Sequence, residues 1–258
     1  MDYQAITFDI TDGVARITLN RPALMNALNR QMRLEITHAF QTAEAAARAV
    51  VMTGAGASFC SGQDLADAAA GGIIDMEGTL NNEYVPMLRA IFDCKIPTIC
   101  AVNGPAAGAG ANLALAADVV IASEDAYFIQ AFTRIGLIPD AGGTYWLPRQ
   151  IGAARAMGAT LFADKVSATQ ARDWGMIYET APADTFQDHV TARAQQLATG
   201  PTVAYAQLKQ AIRGSFENTL TAQLALEAKL QGVCGETEDF KEGVTAFLQK
   251  RAPHYQGR

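Results

Sequence analysis

Apolar and polar residues alternate over 5–10 (AITFDI) and 14–19 (VARITL), with the turn signal Thr11-Asp12-Gly13 between them. That pattern predicts an opening β-hairpin. Arg21-Pro22 ends its second strand. The period then lengthens. Leu28, Met32, Ile36, Phe40 and Ala43 recur every three or four residues, which predicts an amphipathic helix with Asn26 as its N-cap. Ala49–Thr53 and Ile99–Val102 are continuous apolar runs and read as buried strands. Each runs into glycine-rich chain, GAGASFCSG after the first and Gly104–Gly110 after the second. A helix over Ala111–Ala117 and strands over Asp118–Ala122 and Ala126–Gln130 follow. Strands alternating with helices predict an α/β fold with a largely parallel sheet joined by crossovers. After about residue 190 the strands stop, and 203–214, 219–233 and 237–250 read as helices. The last presents Phe240, Val244, Phe247 and Leu248 on one face; acidic residues open it, and Lys250 and Arg251 close it, matching the helix dipole. The expected organisation is an α/β core over 1–195 and a helical region over 196–258. The Ala/Gly-rich stretch 66–80 reads as a mobile surface loop.

Composition narrows the function classes. Half of the 258 residues are hydrophobic and 18% are charged, which is ordinary globular composition and excludes global disorder. The net charge of −6, with no Lys/Arg cluster, argues against nucleic-acid or anionic-membrane partners. Residues 97–117 carry no charge and are long enough for a membrane span. Asn103, Gly104, Pro105, Gly108, Gly110 and Asn112 break that run, so a buried strand, a tight turn and a buried helix account for it better. Cys60, Cys94, Cys100 and Cys234 form no C-x-x-C pair and the three histidines lie far apart, so no zinc or thioredoxin-like spacing occurs and no metal site is expected. Four free thiols, and acidic residues from Asp2 onward where a leader would be apolar, point to a cytoplasmic protein without a signal peptide.

The candidate chemistry starts from what is missing. There is no G-x-S-x-G elbow and no Walker A sequence, and Phe59 stands where a dinucleotide-binding motif opening at Gly54 needs its third glycine. His38, His189 and His254 read as solvated surface residues, which leaves no histidine-based triad. Two glycine-rich turns follow buried strands, Phe59–Asp64 and Asn103–Gly110. Each can leave backbone N–H groups unpaired where a helix begins, and two converging groups would form an oxyanion hole. Two tight turns without function account for the spacing equally well. Asp140 is a lone carboxylate between apolar residues and a glycine run. It fits a proton-transferring base in an apolar pocket, or a turn or N-cap residue, and both readings stay open.

These segments in order resemble the enoyl-CoA hydratase/isomerase (crotonase) superfamily over nearly the whole chain. The resemblance rests on Arg21-Pro22…Asn26-Ala27-Leu28, F-C-S-G-Q-D-L, N-G-x-A-x-G-x-G, Ala116-Ala117-Asp118, I-G-L-I-P-D-A-G-G-T and E-G-V-T-A-F-L-Q-K-R. It implies a ββα spiral with a C-terminal helical trimerisation region, and a homotrimer or a dimer of trimers. It also implies a thioester enolate stabilised by two backbone N–H groups, here those of Gln63 and Ala109. Coenzyme A is then part of an acyl-CoA substrate, and no separate cofactor is implied. The coenzyme A arm would cross near Ala23, Leu24 and Gln63, Asp64, Leu65 and Ala66, with Arg21 and a neighbouring subunit's Lys250 meeting its phosphates.

The departures from the family pattern narrow the activity. The two glutamates of the family's hydratases would fall at Asn112 and Phe132, neither of which transfers protons at neutral pH. The remaining carboxylate, Asp140, stands where hydratases carry glycine. That pattern resembles the branch isomerising ring-1,2-epoxyphenylacetyl-CoA to oxepin-CoA in phenylacetate catabolism, also through F-I-Q-A-F and N-T-L-x-x-Q-L-x-L-E. The 4-chlorobenzoyl-CoA dehalogenase branch needs a histidine base, and none lies between His38 and His189. The resemblance implies an isomerase with Asp140 as base, Gln63 and Ala109 as oxyanion donors, and Phe132, Ile129, Leu137 and Ile138 as candidate pocket walls. The rivals are a Δ3,Δ2-enoyl-CoA isomerase of fatty-acid oxidation, a residual hydratase, and an RNA-binding relative.

Overall fold

The computed structural model describes residues 1–69 and 75–258. Strands β1 (Ile6–Thr11) and β2 (Val14–Leu19) form the expected hairpin, with Ile6 opposite Leu19 and Thr11 opposite Val14. A 3₁₀ turn, Pro22–Leu24, leads to helix α1 (Arg30–Ala46). The N-cap of α1 is Asn29, not Asn26; its Oδ1 accepts from the Met32 N–H at 2.9 Å. Asn26 instead takes a left-handed backbone (φ +55), which asparagine tolerates better than most residues. Its buried amide accepts from the Arg21 N–H and donates to the Ala55 and Ser58 carbonyls, tying the chain before α1 to the loop after the next strand.

Strand β3 (Ala49–Gly54) pairs parallel with β2. The expected loop at 66–80 is largely helical where it is described. Helix α2 spans Leu65–Ala69 and α3 spans Met76–Thr79, capped by Asp75, while 70–74 lie outside the described residues. A π-helical turn, Leu80–Tyr84, runs directly into α4 (Val85–Phe92). Next come β4 (Thr98–Val102), β5 (Ala106–Ala107), α5 (Ala109–Leu115), β6 (Val119–Ser123) and β7 (Tyr127–Ile129). Helix α5 starts two residues before the expected Ala111, directly on the glycine turn. A second 3₁₀ turn, Ala131–Ile135, precedes α6 (Gly143–Phe162), which contains Pro148 and kinks at Gly152. Then follow β8 (Val166–Ser167), α7 (Ala168–Asp173), β9 (Glu179–Ala181), α8 (Phe186–Ala198), α9 (Thr202–Gly214), α10 (Leu220–Gly235) and α11 (Glu238–Gln249).

The main sheet has the order β1-β2-β3-β4-β6-β9 and is parallel throughout except for the opening hairpin. A small sheet, β5-β7-β8, stands apart from it. The central strands are buried on both faces, which is why they read as unbroken apolar runs. Val51, Ile99 and Ile121 pack on Phe186, Val190 and Ala194 of α8. Their neighbours Val50, Met52, Cys100 and Val120 face a larger core with α1, α4 and α5. The uncharged stretch 97–117 thus resolves into β4, β5 and α5, and no helix among the described residues is long and apolar enough to cross a membrane.

The C-terminal helices bury little of themselves. Helix α9 has no buried residue, and α10 buries only Leu230. Polar contacts dock them. Lys209 and Arg213 both reach the Asp118 carboxylate at 2.6 Å, and Arg48 donates to Thr202 and to the Gly200 carbonyl.

Candidate active site

The two glycine-rich turns meet. Cys60 bridges to the chain beside β5, donating to the Pro105 carbonyl and accepting from the Ala107 N–H at 2.9 Å. On the other edge the Gly62 carbonyl accepts from the Leu28 N–H at 2.8 Å, and the Asp64 N–H donates to the Leu28 carbonyl at 3.1 Å. This ladder engages the residues on either side of Gln63, and the Gln63 N–H has no acceptor among the described residues. The Ala109 N–H, the first of α5, is likewise free, as the opening N–H groups of a helix are. Gly62 (φ +96) brings the two together: a Cβ there would lie 2.8 Å from the Ala107 carbonyl oxygen and 3.4 Å from the Ala109 nitrogen. Gly110 lets α5 approach as closely from the other side, since a Cβ there would fall on the Cys60 carbonyl. Gln63 and Ala109 line a cavity of about 540 Å³.

Asp140 lines the same cavity. It precedes Ala141 (φ +48) and Gly142 (φ +82), two left-handed residues that turn the chain into α6. Its backbone is held: the carbonyl accepts from Asn112 Nδ2 at 2.8 Å and from the Gly143 N–H at 2.9 Å. The buried carboxylate oxygen Oδ1 is not held, having no hydrogen-bond partner among the described residues. Burial pushes this carboxyl up to about 6, and its own backbone N–H pulls it back only in part. The site therefore fixes where Asp140 stands while leaving one of its carboxylate oxygens without a partner among the described residues.

Asn112 and Phe132 have different tasks. Asn112 is fully buried, and its amide is engaged at both ends, donating to Asp140 and accepting from Gln130 Nε2 at 2.9 Å. Phe132 lines the cavity as hydrocarbon, with Leu137, Leu80 and Leu65.

A polar cluster that the sequence pattern does not signal as a whole packs against the Gln63 loop. Gln63 Oε1 accepts from the Tyr84 hydroxyl at 2.5 Å and from Arg33 Nη1 at 2.9 Å. Arg33, 2% exposed, also donates to the Leu28 carbonyl at 2.7 Å and clamps Glu83 Oε2 at 2.9 and 2.5 Å. Tyr84 lines the cavity, and its phenol is raised well above the ordinary value. Burial is the main cause; Arg33 opposes it, and the Asp140 charge adds to it. Arg33 beside the apolar stripe of α1 was the one available signal; its partners lie 30 and 50 residues away.

The remaining expected residues divide. Leu65 lines the cavity and is 54% exposed. Ala23, Leu24 and Ala66 are exposed, with the Leu24 carbonyl accepting from the hydroxyl of Ser61, a cavity residue. Arg21 pairs with Asp64 at 2.9 Å and donates to the Ala27 carbonyl. Burial raises the Asp64 carboxyl, but the Asp67 and Ala66 N–H groups and Arg21 outweigh it and hold it below its ordinary value. Lys250 is exposed at the end of α11 and does not line the cavity. Ile129 and Ile138 do not line it either: Ile129 is buried in β7, and Ile138 is 78% exposed because its loop turns it outward.

A family profile described as enoyl-CoA hydratase/isomerase matches residues 9–258. The chain belongs to that family. As a member of the enoyl-CoA hydratase/isomerase family it is an enzyme acting on coenzyme A thioesters, and its fold is that of crotonase. It is 57% identical over 258 residues to a Rhodobacter capsulatus protein named probable enoyl-CoA hydratase, covering 100% of both chains. It is 43% identical over 254 residues to the 1,2-epoxyphenylacetyl-CoA isomerase of Escherichia coli, covering 96% of this chain and 97% of that one. The crystal structure of an enoyl-CoA hydratase from Polaromonas sp. JS666 superposes with a TM-score of 0.92 at 32% identity, covering 98% of this chain and 100% of the other.

Proposed function

We propose that this family member is an isomerase that moves a proton within an acyl-CoA. It would convert ring-1,2-epoxyphenylacetyl-CoA to oxepin-CoA, shift an enoyl-CoA double bond, or do both. The observation that carries this reading is one cavity lined by two residues with free backbone N–H groups and by a single, half-buried carboxylate with an unpartnered oxygen. The thioester oxygen accepts from Gln63 and Ala109, which stabilises the negative charge that develops there. Asp140 takes a proton from the CH2 beside the carbonyl, and the electron pair moves onto the thioester oxygen. Once the ring or chain bonds have rearranged, the same carboxyl returns the proton to the distal carbon. No water is consumed and the product has the mass of the substrate. The mainly apolar cavity suits a ring or an alkenyl chain. The coenzyme A arm leaves past Leu24 and Leu65, beside Arg21, Ala23, Asp64 and Ala66, while Lys250 serves only from another copy of the chain.

The name of the Rhodobacter relative favours a second reading, hydration. Against it stand the hydrocarbon at Phe132 and the fully engaged amide of Asn112, neither of which activates water. The deciding experiment gives the purified protein enzymatically generated epoxyphenylacetyl-CoA, 3-enoyl-CoA and crotonyl-CoA and follows mass and ultraviolet absorbance. The expected result is mass-neutral conversion of the epoxide. Turnover of 3-enoyl-CoA alone would assign a fatty-acyl isomerase, and a gain of one water on crotonyl-CoA would overturn the isomerase reading.

A further inference from the structure

Arg33 is out of place on the criterion of stability. A guanidinium 2% exposed loses its hydration, and a buried ion pair seldom recovers more than that loss. What the arrangement does achieve is geometric. Arg33 stands on α1, Glu83 and Tyr84 on the π-helical turn before α4, and Gln63 on the oxyanion loop. A π-turn inserts one residue into a helical ladder, and such turns concentrate at functional sites. Here it directs Glu83 onto Arg33 and Tyr84 onto Gln63. The Gln63 side chain is thereby fixed at Oε1 by two donors and at Nε2 by the Asp64 carbonyl, while Arg33 also grips the Leu28 carbonyl that registers the loop. The Gln63 peptide, whose N–H has no acceptor among the described residues, is thus braced from its own side chain.

We infer that Arg33 and Tyr84 are positioning residues for the oxyanion hole, setting the angle of the Gln63 N–H through the Gln63 side chain. Arg33 does not line the cavity, and Tyr84, which does, directs its hydroxyl to Gln63. The inference rests on the oxyanion hole proposed above. It predicts that loosening the brace weakens polarisation of the thioester carbonyl more than it weakens binding.

The test reads the carbonyl directly. Phenylacetyl-CoA labelled with ¹³C at the thioester carbon is bound to the full-length protein, and its carbonyl stretch is recorded by infrared difference spectroscopy. The wild type and Asp140→Asn are expected to shift the stretch to lower frequency alike, since the hole is intact in both. Arg33→Met and Tyr84→Phe are expected to lose most of that shift, with binding changed less than about threefold and kcat on 3-enoyl-CoA lowered about 10- to 100-fold at similar KM. Should Arg33→Met fail to fold, Tyr84→Phe, which keeps the ring and loses only the donor, decides alone. A full shift in the folded variants overturns the positioning role while leaving the hole standing. No shift in the wild type overturns the hole and the brace together.

Discussion

As the proposed base, Asp140 would set the pH behaviour of the site. Only its carboxylate form can accept a proton, and its value is pushed up to about 6. kcat/KM is therefore expected to rise through about pH 6 and level off above it, measured on 3-enoyl-CoA across pH 4.5–8 as an approximate working range. Asp140→Asn is expected to lower kcat about 10²- to 10⁴-fold while thioester affinity stays within a few-fold. The same substitution has an opposite effect on stability. Because the folded value lies above the ordinary 3.8, the folded state binds the proton more tightly, and stability is lost as pH rises from 3.8 to about 6. Asn removes that loss. Thermal melts should show Asp140→Asn more stable than wild type above pH 6, by on the order of 1 kcal/mol after screening by partial exposure, and no gain below about pH 4.

At the scale of elements, the hole depends on how closely α5 and the Cys60–Gln63 segment approach. Gly110→Ala places a methyl on the Cys60 carbonyl, so one of the two must move. The expected cost is about 1–3 kcal/mol, with a loss of turnover of more than about tenfold because Ala109 moves with the helix, checked by melting and kinetics on the same preparation. The N-cap gives a control without catalytic consequence: Asn29→Ala should lower stability by about 1 kcal/mol at unchanged kcat. The legible elements were those with one strong period. The hairpin, the buried parallel strands and the three last helices followed from alternation, continuous apolar runs and helical stripes. Helix α6 was not legible, because Gly142-Gly143, Pro148 and Gly152 punctuate it like a loop. Nor were α3 and the π-turn, whose Ala/Gly-rich approach carries no stripe. Within the candidate site, the glycine runs and the lone carboxylate were local signals that left a functional and a structural reading open, and only the family resemblance singled out Gln63, Ala109 and Asp140. Tyr84 and Glu83 were not, because their meaning lies in contacts with Arg33 and Gln63 far along the chain.

At the scale of the molecule, the C-terminal helices leave much apolar surface open. Leu208, Ile212, Phe216, Leu220, Phe247 and Leu248 are all more than half exposed, and large exposed apolar surface is what interaction sites present. The proposed occupant is a second and third copy of the chain, so light scattering should give at least three times the 27.4 kDa chain mass. Phe216→Glu with Phe247→Glu should shift that mass toward one chain. The grip of Asn112 on the Asp140 carbonyl carries a consequence for how such a chain could change its reaction. A main-chain donor carries no side-chain identity, so Gln63 and Ala109 can serve more than one reaction while the residues at 112, 132 and 140 differ. These positions are not independent. Glutamate at 112 would release the Asp140 carbonyl and press on Gly143, and glutamate at 132 would replace a core ring by a second carboxylate in the cavity that Asp140 lines. A mutational path toward water-adding chemistry therefore meets a structural cost at both positions, the loss of the grip on Asp140 at 112 and of a packed ring at 132.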